Sequence, residues 1–361
     1  MNPVIFFSVI SGVTSLTDAA DVGRLGGKLV GIYTFTTLIA SSISLGIAYL
    51  IFSDDVPQLG ALETVADDSQ QTTGISLTGM LMGLVPKNLV DPIAHNEMLQ
   101  IIFMAVLFGI CINKLGGKVQ MLHDFIEVMN TFCLRMILMI VSVIPFIAFL
   151  AMASLMFHIG WESLLVLAKM IGGQLAGSML MLLTYAAIIY FIGKVNPRPF
   201  LSKIPQFMPY PLSTSSSNAT MPFSLKFCTE KLGISPKISA FSIPIGATVN
   251  MDGSCFYLST ASVMLARMYG IELTSDVLFA IFVTVVALSV GAPGVSGGAF
   301  VCLASIVTAI GLPVEATAVI LGVDPICSMI RTTFNTSGDI AVTTALAGSE
   351  KMLDTKIYCQ A

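Results

Sequence analysis

The chain has 361 residues, of which 55% are hydrophobic and only 11% are charged, and its mean hydropathy is +0.89. A soluble domain carries about 25% charged residues, so this composition excludes a water-soluble globular protein and predicts an integral membrane protein built from apolar helices. The formal net charge of −4 comes from few residues, and no basic patch indicates a nucleic-acid partner.

Apolar segments follow one another along the whole chain. They cover residues 3–16, 29–52, 75–115, 125–157, 161–193, 238–268, 277–310 and 313–347. Between the first five, basic loops alternate with loops that contain no lysine or arginine, so each segment is predicted to cross once, with the basic loops in the cytoplasm. The first run has neither a charged start nor a cleavage site and is not predicted to be a signal peptide. It looks like the second part of a helix, and we expect the first helix to be missing.

Two segments in the second half are predicted to enter and leave the membrane on one side. Residues 204–236 are polar, interrupted by proline and flanked by basic residues. Residues 277–310 contain the stretch "LSVGAPGVSGGAF", with acidic residues before and after the segment. Irregular backbone at membrane depth needs protein or a water-filled cavity around it. Two opposed re-entrant hairpins therefore predict an inverted repeat with a binding site at its middle.

The last apolar run carries polar residues at helical spacing. Asp324, Ser328, Arg331, Asn335 and Asp339 follow at steps of 4, 3, 4 and 4 residues, which a helix places within an arc of about 80°. A charged side chain at the middle of a membrane costs roughly 2.5–3.5 kcal/mol. The stripe therefore predicts a face toward a cavity, partners or ligands. The alternative is an internal Arg–Asp pair that holds two helices together.

Two further motifs point to a cation site. The segment "IGATVNMDGS", residues 245–254, places Asn250 and Asp252 in an apolar run with Gly246 and Gly253 beside them. An unwound helix there exposes carbonyl oxygens next to a carboxylate and an amide, a set suited to Na⁺ or to a proton relay. A helix kink with a locally satisfied aspartate is the alternative. The segment "YTFTT", residues 33–37, is a weaker signal, because helix threonines often bond to their own backbone.

The remaining polar signals are the serine-rich stretch "STSSSNATMP", the cysteines and the histidines. The serine-rich stretch, residues 213–222, is predicted to bind an anion through backbone N–H groups at a helix start. The seven cysteines have no pairing or metal-ligand spacing and are expected to be free thiols, and the three scattered histidines indicate no metal centre. We expect no cofactor and no enzymatic activity.

The order of a serine-rich hairpin, "NMDGS", a Gly/Pro-rich hairpin and "RTTFNTSGD" resembles the dicarboxylate/amino acid:cation symporter family. That family includes sodium:dicarboxylate symporters, archaeal aspartate transporters and excitatory amino acid transporters. The resemblance covers essentially the whole chain and is most specific over 213–350. It implies an all-α integral membrane protein of eight transmembrane helices and two re-entrant hairpins. It also implies a homotrimer and elevator-type alternating access, in the plasma membrane of a bacterium.

The resemblance also implies a division of the chain. Residues 1–200 are expected to hold scaffold helices and part of the transport domain, and residues 351–361 a cytoplasmic tail. The C-terminal core, 201–350, is expected to contain four elements in chain order: a first re-entrant hairpin at 204–236, helix 7 at 238–268, a second hairpin at 277–310 and helix 8 at 313–347.

Individual residues receive roles from the same resemblance, with Arg331 expected on the distal carboxylate of the substrate. The expected substrate contacts are Ser217, Asn218, Met251, Ser254, Gly294, Val295, Ser296, Gly297, Ser328, Arg331, Thr332 and Asn335. The expected sodium ligands form three groups, namely Asp339, Asn335, Gly246 and Asn250; Asp252, Asn250, Tyr33, Thr36 and Thr37; and Thr248, Ser289, Val290 and Ala292. Na⁺ is expected as the coupling ion and the lipid bilayer as the surroundings.

The residue at position 328 helps to distinguish amino acid substrates from dicarboxylates. Family members that carry amino acids typically have an aspartate there for the α-amino group, whereas Ser328 matches the C4-dicarboxylate carriers. Asp339 and "YTFTT" match the sodium-coupled amino acid branch. We therefore expect Na⁺-coupled symport of a small anionic substrate, a dicarboxylate or an acidic amino acid, and favour a substrate without an α-amino group. A proton-coupled C4-dicarboxylate carrier and a cystine or neutral amino acid carrier are alternatives. A passive channel and an intramembrane aspartyl protease using Asp252 and Asp339 are more distant ones.

Overall fold

The computed structural model describes residues 23–53, 98–141, 161–289 and 297–360, with short pieces at 6–7, 10–11, 14, 86, 88, 90–94 and 153. Across these residues the regular secondary structure is helical, apart from one isolated antiparallel bridge between Ile234 and Leu353. The predicted all-α class is therefore confirmed. Most of the predicted segment at 3–16 and the acidic loop after Ser53 lie outside the described residues.

The helices are numbered here in chain order. They are α1 (Gly23–Ile51), α2 (Met98–Leu115), α3 (Gln120–Val141), α4 (Trp161–Phe191), α5 (Arg198–Phe207), α6 (Pro209–Thr214), α7 (Ser217–Lys226), α8 (Pro236–Val249), α9 (Asp252–Met268), α10 (Ser275–Ser289), α11 (Gly298–Ala309), α12 (Asp324–Ser349) and α13 (Thr355–Cys359). Shorter pieces are a helix at Asp91–Ala94, 3-10 helices at Gly116–Val119 and Val314–Ile320, and a π-helix at Phe227–Lys231. Within the described part, Leu25–Ile51, Phe103–Cys133 and Leu164–Phe191 are long and apolar enough to cross a membrane.

The second half of the chain is more interrupted than its apolar runs indicate. The segment 238–268 forms two helices, α8 and α9, separated at Asn250 and Met251. The segment 313–347 opens with a 3-10 helix, and α12 starts only at Asp324, where a proline follows in the first turn. Proline suits that position because its missing N–H has no partner there in any case. The first boundary coincides with the polar residues of "NMDGS", whereas apolar composition continues through residues 313–323 and does not locate the second.

The serine-rich segment 204–236 is helical for most of its length, although its prolines predict interruptions. The chain turns at Ser215, whose φ is +48°, between α6 and α7. Ser216 caps α7 by accepting a hydrogen bond from the Ala219 N–H at 3.3 Å. Both α6 and α7 pack against α12, so the serine-rich turn is joined to the helix that carries the polar stripe.

Helices α1, α4, α8, α9 and α12 form the core. Helix α9 packs against α1, α4 and α12, and Arg267 is its only residue that is not fully buried. A helix buried on all sides places any polar side chain away from water, and such side chains need partners. The polar residues of α9 and α12 therefore face neighbouring helices rather than the surroundings.

The last described residues fold back onto the core. Asp354 caps α13 by accepting from the Lys356 N–H at 2.9 Å. The buried amino group of Lys203 in α5 donates to the backbone carbonyls of Lys231, Ile357 and Tyr358, at 2.8, 3.0 and 3.0 Å. Hydrogen bonds of Lys203 thus connect the predicted tail, 351–361, with the end of the serine-rich segment.

Candidate functional site

The break between α8 and α9 lies at the centre of the candidate site. Asn250 (φ −99°, ψ 86°) and Met251 (φ −109°, ψ 45°) leave the helical conformation, and α9 restarts at Asp252. Helix ends leave backbone C=O and N–H groups without partners inside the helix. The break therefore brings the carbonyl end of α8 and the N–H end of α9 to one place, and the unwinding predicted at "NMDGS" is seen.

Asn335 of α12 forms hydrogen bonds with the residues of this break. Its Oδ1 accepts hydrogen bonds from the backbone N–H groups of Gly253 (2.7 Å) and Ser254 (3.3 Å). Its Nδ2 donates to Ser254 Oγ at 3.3 Å and to Met251 Sδ at 3.1 Å. Gly253 permits the close approach, because a Cβ there would collide with the Arg331 backbone oxygen. The amide of Asn335 thus holds the polar stripe of α12 against the start of α9.

Arg331 is buried without an acidic partner in the described part of the chain. It is 3% exposed, its Nη2 donates to Ser328 Oγ at 2.9 Å, and its Cζ lies 5.2 Å from the centre of the Tyr257 ring. Its Nη1 has no hydrogen-bond partner among the described residues, and none of their ion pairs includes it. Asp324, two turns earlier, is therefore not paired with it, and the alternative of a structural Arg–Asp pair is not supported. An uncompensated buried charge costs several kcal/mol, so this guanidinium is suited to an anion that enters the site.

Asp339 lies two turns beyond the arginine on the same helix. Asn250 Nδ2 donates to Asp339 Oδ1 at 2.9 Å, and Asn250 Oδ1 accepts from Thr36 Oγ1 at 3.1 Å. The Tyr33 hydroxyl is also close, because a Cβ placed on Gly246 would lie 2.5 Å from Asp339 Oδ1 and 2.6 Å from Tyr33 Oη. A carboxylate oxygen of α12 and a hydroxyl oxygen of α1 therefore lie beside Gly246, and Asn250 connects the carboxylate to Thr36.

Asp252 is the second buried carboxylate. Tyr185 of α4 donates to Asp252 Oδ2 at 2.8 Å, and Thr37 of α1 donates to Asp252 Oδ1 at 3.3 Å. The neighbouring Thr36 bonds both to the Tyr33 carbonyl, at 2.9 Å, and to the helix break. Thr36 thus makes the local backbone bond that helix threonines often make, and both threonines also reach residues predicted to form a cation site.

The charges of the site do not neutralise one another. Neither Asp252 nor Asp339 takes part in an ion pair among the described residues. Arg331 and Asp339 are eight residues apart, about 12 Å along the helix, which prevents direct pairing. The side chains beside the two aspartates are amide and hydroxyl groups, an oxygen set that suits a hard cation better than a transition metal. The arrangement fits an anion at the arginine and cations at the aspartates.

The predicted hairpin tips are described only in part. Ser217 is buried and Asn218 is half-buried at the start of α7. Gly297, with φ +77°, precedes α11, whereas residues 294–296 lie outside the described residues. Thr332 is buried on α12 beside the arginine. The substrate site predicted between the two tips therefore stays a prediction.

The third predicted cation site is not assembled by the described residues. Thr248 Oγ1 donates to the Ile245 carbonyl at 2.9 Å, and Ser289 Oγ donates to the Val286 carbonyl at 2.8 Å, each within its own helix. Residues 290 and 292, predicted to supply further carbonyls, lie outside the described part of the chain. This site stays a prediction.

Three side chains near the site carry no signal in the sequence. They are Tyr185, which bonds to an aspartate, Tyr257, whose ring lies against the guanidinium, and Gln174, whose Nε2 donates to the Cys327 carbonyl at 2.9 Å. None of the three belongs to a motif or to a polar stripe at helical spacing. Each is revealed only by its partner on another helix, so helical spacing within one segment does not predict it.

Comparison with known proteins adds a family and relatives. Residues 1–349 match the family described as "Sodium:dicarboxylate symporter family". "C4-dicarboxylate transport protein 1" of Ralstonia nicotianae is 29% identical over 360 residues, covering 98% of this chain and 84% of the relative. The "C4-dicarboxylate transport protein" of Bacillus subtilis is 31% identical over 357 residues (98% and 84%), and that of Cupriavidus necator 30% over 362 residues (99% and 83%). The resemblance found in the motifs is confirmed, and the family and relatives are transporters rather than enzymes.

Proposed function

Because the chain belongs to the sodium:dicarboxylate symporter family, we propose that it is a secondary active transporter that carries a C4-dicarboxylate together with Na⁺ across a bacterial inner membrane. The names of the relatives and three described helical stretches suited to a membrane support this. The observation that carries the proposal is the pattern of buried charge. Among the described residues Arg331 is buried without an acid, and Asp252 and Asp339 are buried without a base, on helices that meet at one break.

Arg331 is proposed to bind one carboxylate of the substrate. A guanidinium holds a carboxylate through two parallel hydrogen bonds, and the partnerless Nη1 is free to complete such a pair. Ser328 Oγ already accepts from Arg331, so its own O–H is left to donate. This end of the site therefore offers donors, which suit a carboxylate and not an ammonium group. Succinate is accordingly proposed to bind better than aspartate.

A second candidate substrate is an acidic amino acid. Asp324 is buried near the start of α12, and its Oδ1 has no hydrogen-bond partner among the described residues. Such an acceptor suits a substrate ammonium group if the side chain turns toward the ligand. The two candidates differ in one group only, the α-amino group, so competition experiments separate them.

Na⁺ is proposed to bind at Asp339 and at Asp252. Both carboxylates are buried, and the oxygens beside them belong to Asn250, Thr36 and Tyr33 or to the unwound backbone. A cation that neutralises a buried carboxylate removes a cost of several kcal/mol. Hard cations prefer carboxylate, amide and carbonyl oxygens of this kind.

Coupling between ion and substrate is proposed to pass through the helix break. Asn335 lies one turn from Arg331 and one turn from Asp339, and it fixes the start of α9. Asn250, on the other side of the break, is bonded to Asp339. An ion that orders this network therefore lowers the cost of ordering the arginine end for the substrate, which is positive cooperativity, that is, a favourable (negative) coupling free energy between the two sites.

The proposal extends to the architecture that the family implies. Helices α5–α7 and α10–α11 are proposed to be the two re-entrant hairpins, with alternating access of the elevator type in a homotrimer. The turn at Ser215 and the packing of α6 and α7 against α12 support a hairpin tip beside the polar stripe.

Uptake by purified protein in liposomes tests the proposal. With an inward Na⁺ gradient, labelled succinate is expected to accumulate above its external concentration, and replacement of Na⁺ by choline is expected to abolish accumulation. Aspartate, glutamate, cystine and serine serve as competitors. Accumulation driven by a pH gradient alone would replace Na⁺ with a proton, equilibration without accumulation would indicate a channel, and stronger competition by aspartate would select the acidic amino acid.

A further inference from the structure

Tyr185 of α4 makes a buried bond to the aspartate that begins α9. Its hydroxyl donates to Asp252 Oδ2 at 2.8 Å, and both residues are fully buried. A distance of 2.8 Å is usual for a good O–H···O bond. The other oxygen of the carboxylate has a weaker partner, since Thr37 Oγ1 lies 3.3 Å from Oδ1. One oxygen of Asp252 is therefore firmly held and the other loosely.

Space for this hydroxyl is made on a third helix. A Cβ on Gly338 of α12 would collide with Tyr185 Oη and would lie 2.8 Å from its Cζ and 3.0 Å from Asn250 Nδ2. Glycine weakens a helix interior relative to alanine, yet the middle of α12 has one where the tyrosine crosses. Three helices are thus arranged around a single hydrogen bond.

We propose that Tyr185 is a positioning residue for the cation site. It holds Oδ2 of Asp252 so that Oδ1 faces Thr37 and the other oxygens of α1, where an ion replaces the long threonine bond. This inference rests on the proposed function, because it takes Na⁺ as the ion that binds at Asp252. Without the hydroxyl the carboxylate is free to rotate, so the ion loses an oriented ligand, whereas the arginine end of the site keeps its geometry.

Tyr185→Phe removes the hydroxyl and keeps the ring. The matched control is Tyr190→Phe on the same helix, where the side chain is 59% exposed. The first measurement is thermal stability of purified protein against NaCl, with choline chloride holding ionic strength constant. The second is the KM for succinate uptake at saturating Na⁺. Partners that orient a metal ligand change metal affinity roughly 10–100-fold.

The half-saturating Na⁺ concentration of Tyr185→Phe is therefore expected to rise about tenfold or more, with succinate KM at saturating Na⁺ close to the wild type. Stability is expected to fall in choline, because a buried carboxylate oxygen loses its hydrogen-bond donor, and to fall further below the wild type in NaCl. Tyr190→Phe is expected to match the wild type throughout. If Tyr185→Phe does not fold, Gly338→Ala, which displaces the hydroxyl, is measured in its place and is expected to raise the Na⁺ requirement. Because the added Cβ also lies 3.0 Å from Asn250 Nδ2, the informative result with this variant is an unchanged Na⁺ requirement, which would overturn the inference.

If the wild type responds to Na⁺, two results would overturn the inference. One is an unchanged Na⁺ titration in Tyr185→Phe while the wild type responds to Na⁺. The other is an equal loss of stability with and without Na⁺ together with a raised succinate KM, which would make the hydroxyl a general structural bond. A wild type that shows no Na⁺ response overturns the proposed coupling ion, and this inference with it.

Discussion

Gly246→Ala is expected to damage the cation site without removing any ligand. A Cβ at this position would lie 2.5 Å from Asp339 Oδ1, whereas ordinary contact begins at 3.4 Å. The carboxylate must therefore move by about 0.9 Å, and Tyr33 Oη, at 2.6 Å, by a similar distance. Metal–ligand distances vary by only about 0.2 Å. A shift several times larger takes the carboxylate out of the ligand set.

The same substitution has two opposing effects on stability. Alanine in place of glycine inside a helix stabilises by about 1 kcal/mol, and added volume in a packed core costs about 1–3 kcal/mol. The net loss is therefore expected to be about 2 kcal/mol at most, which leaves the protein folded. The loss of one oriented charged ligand is expected to weaken Na⁺ binding about tenfold or more, where each factor of ten corresponds to about 1.4 kcal/mol.

The assay is succinate binding to purified protein at a series of Na⁺ concentrations. The control is Gly172→Ala in α4, where an added Cβ has no atom within 4 Å, and its Na⁺ dependence is expected to match the wild type. Gly246→Ala is expected to shift the Na⁺ dependence and to recover succinate affinity at high Na⁺. An unshifted Na⁺ curve in a folded Gly246→Ala protein would refute the assignment of Asp339 to the ion.

Three further substitutions test the remaining roles. Arg331→Ala should abolish binding of succinate and aspartate in a competition assay. Arg331→Lys should restore little of this binding, because lysine cannot form the two parallel hydrogen bonds. Unchanged affinity in Arg331→Ala would contradict the carboxylate assignment. Asp339→Asn should raise the Na⁺ concentration needed for half-maximal uptake, and uptake equally fast in choline would exclude Na⁺ there. Ser328→Asp should shift competition toward aspartate by adding a partner for the ammonium group, while repelling succinate. A wild type that already prefers aspartate would contradict the succinate assignment.

The polar stripe of the last long helix was predictable because it lies within one helix. Arg331, Asn335 and Asp339 recur at steps of four, and helical periodicity alone places them on one face. The start of α12 at Asp324 was not predictable in the same way, because residues 313–323 are as apolar as those that follow. Hydrophobicity indicates that a segment is buried, but it does not predict whether the segment forms a 3-10 helix or an α-helix.

The partners of the stripe were less accessible to sequence reasoning. Asn250 and Asp252 stand out because they interrupt an apolar run, and their motif matches a family. Tyr185 and Gln174 do neither, and their partners are 67 and 153 residues away. Contacts at such separations depend on how helices pack, and this is set by many weak interactions rather than by a local motif.

Three glycines at the candidate site show how closely its helices pack. A Cβ at Gly246, Gly253 or Gly338 would lie within 2.5 Å of an atom of the candidate site, whereas at Gly31 and Gly172 it would meet nothing within 4 Å. Gly246 and Gly338, which lie inside α8 and α12, each cost their helix about 1 kcal/mol relative to alanine. The first three allow the backbones of α8, α9 and α12 to approach side chains from other helices closely. Because buried polar groups need partners at hydrogen-bond distance, these close approaches are what permits charges of both signs to be buried there.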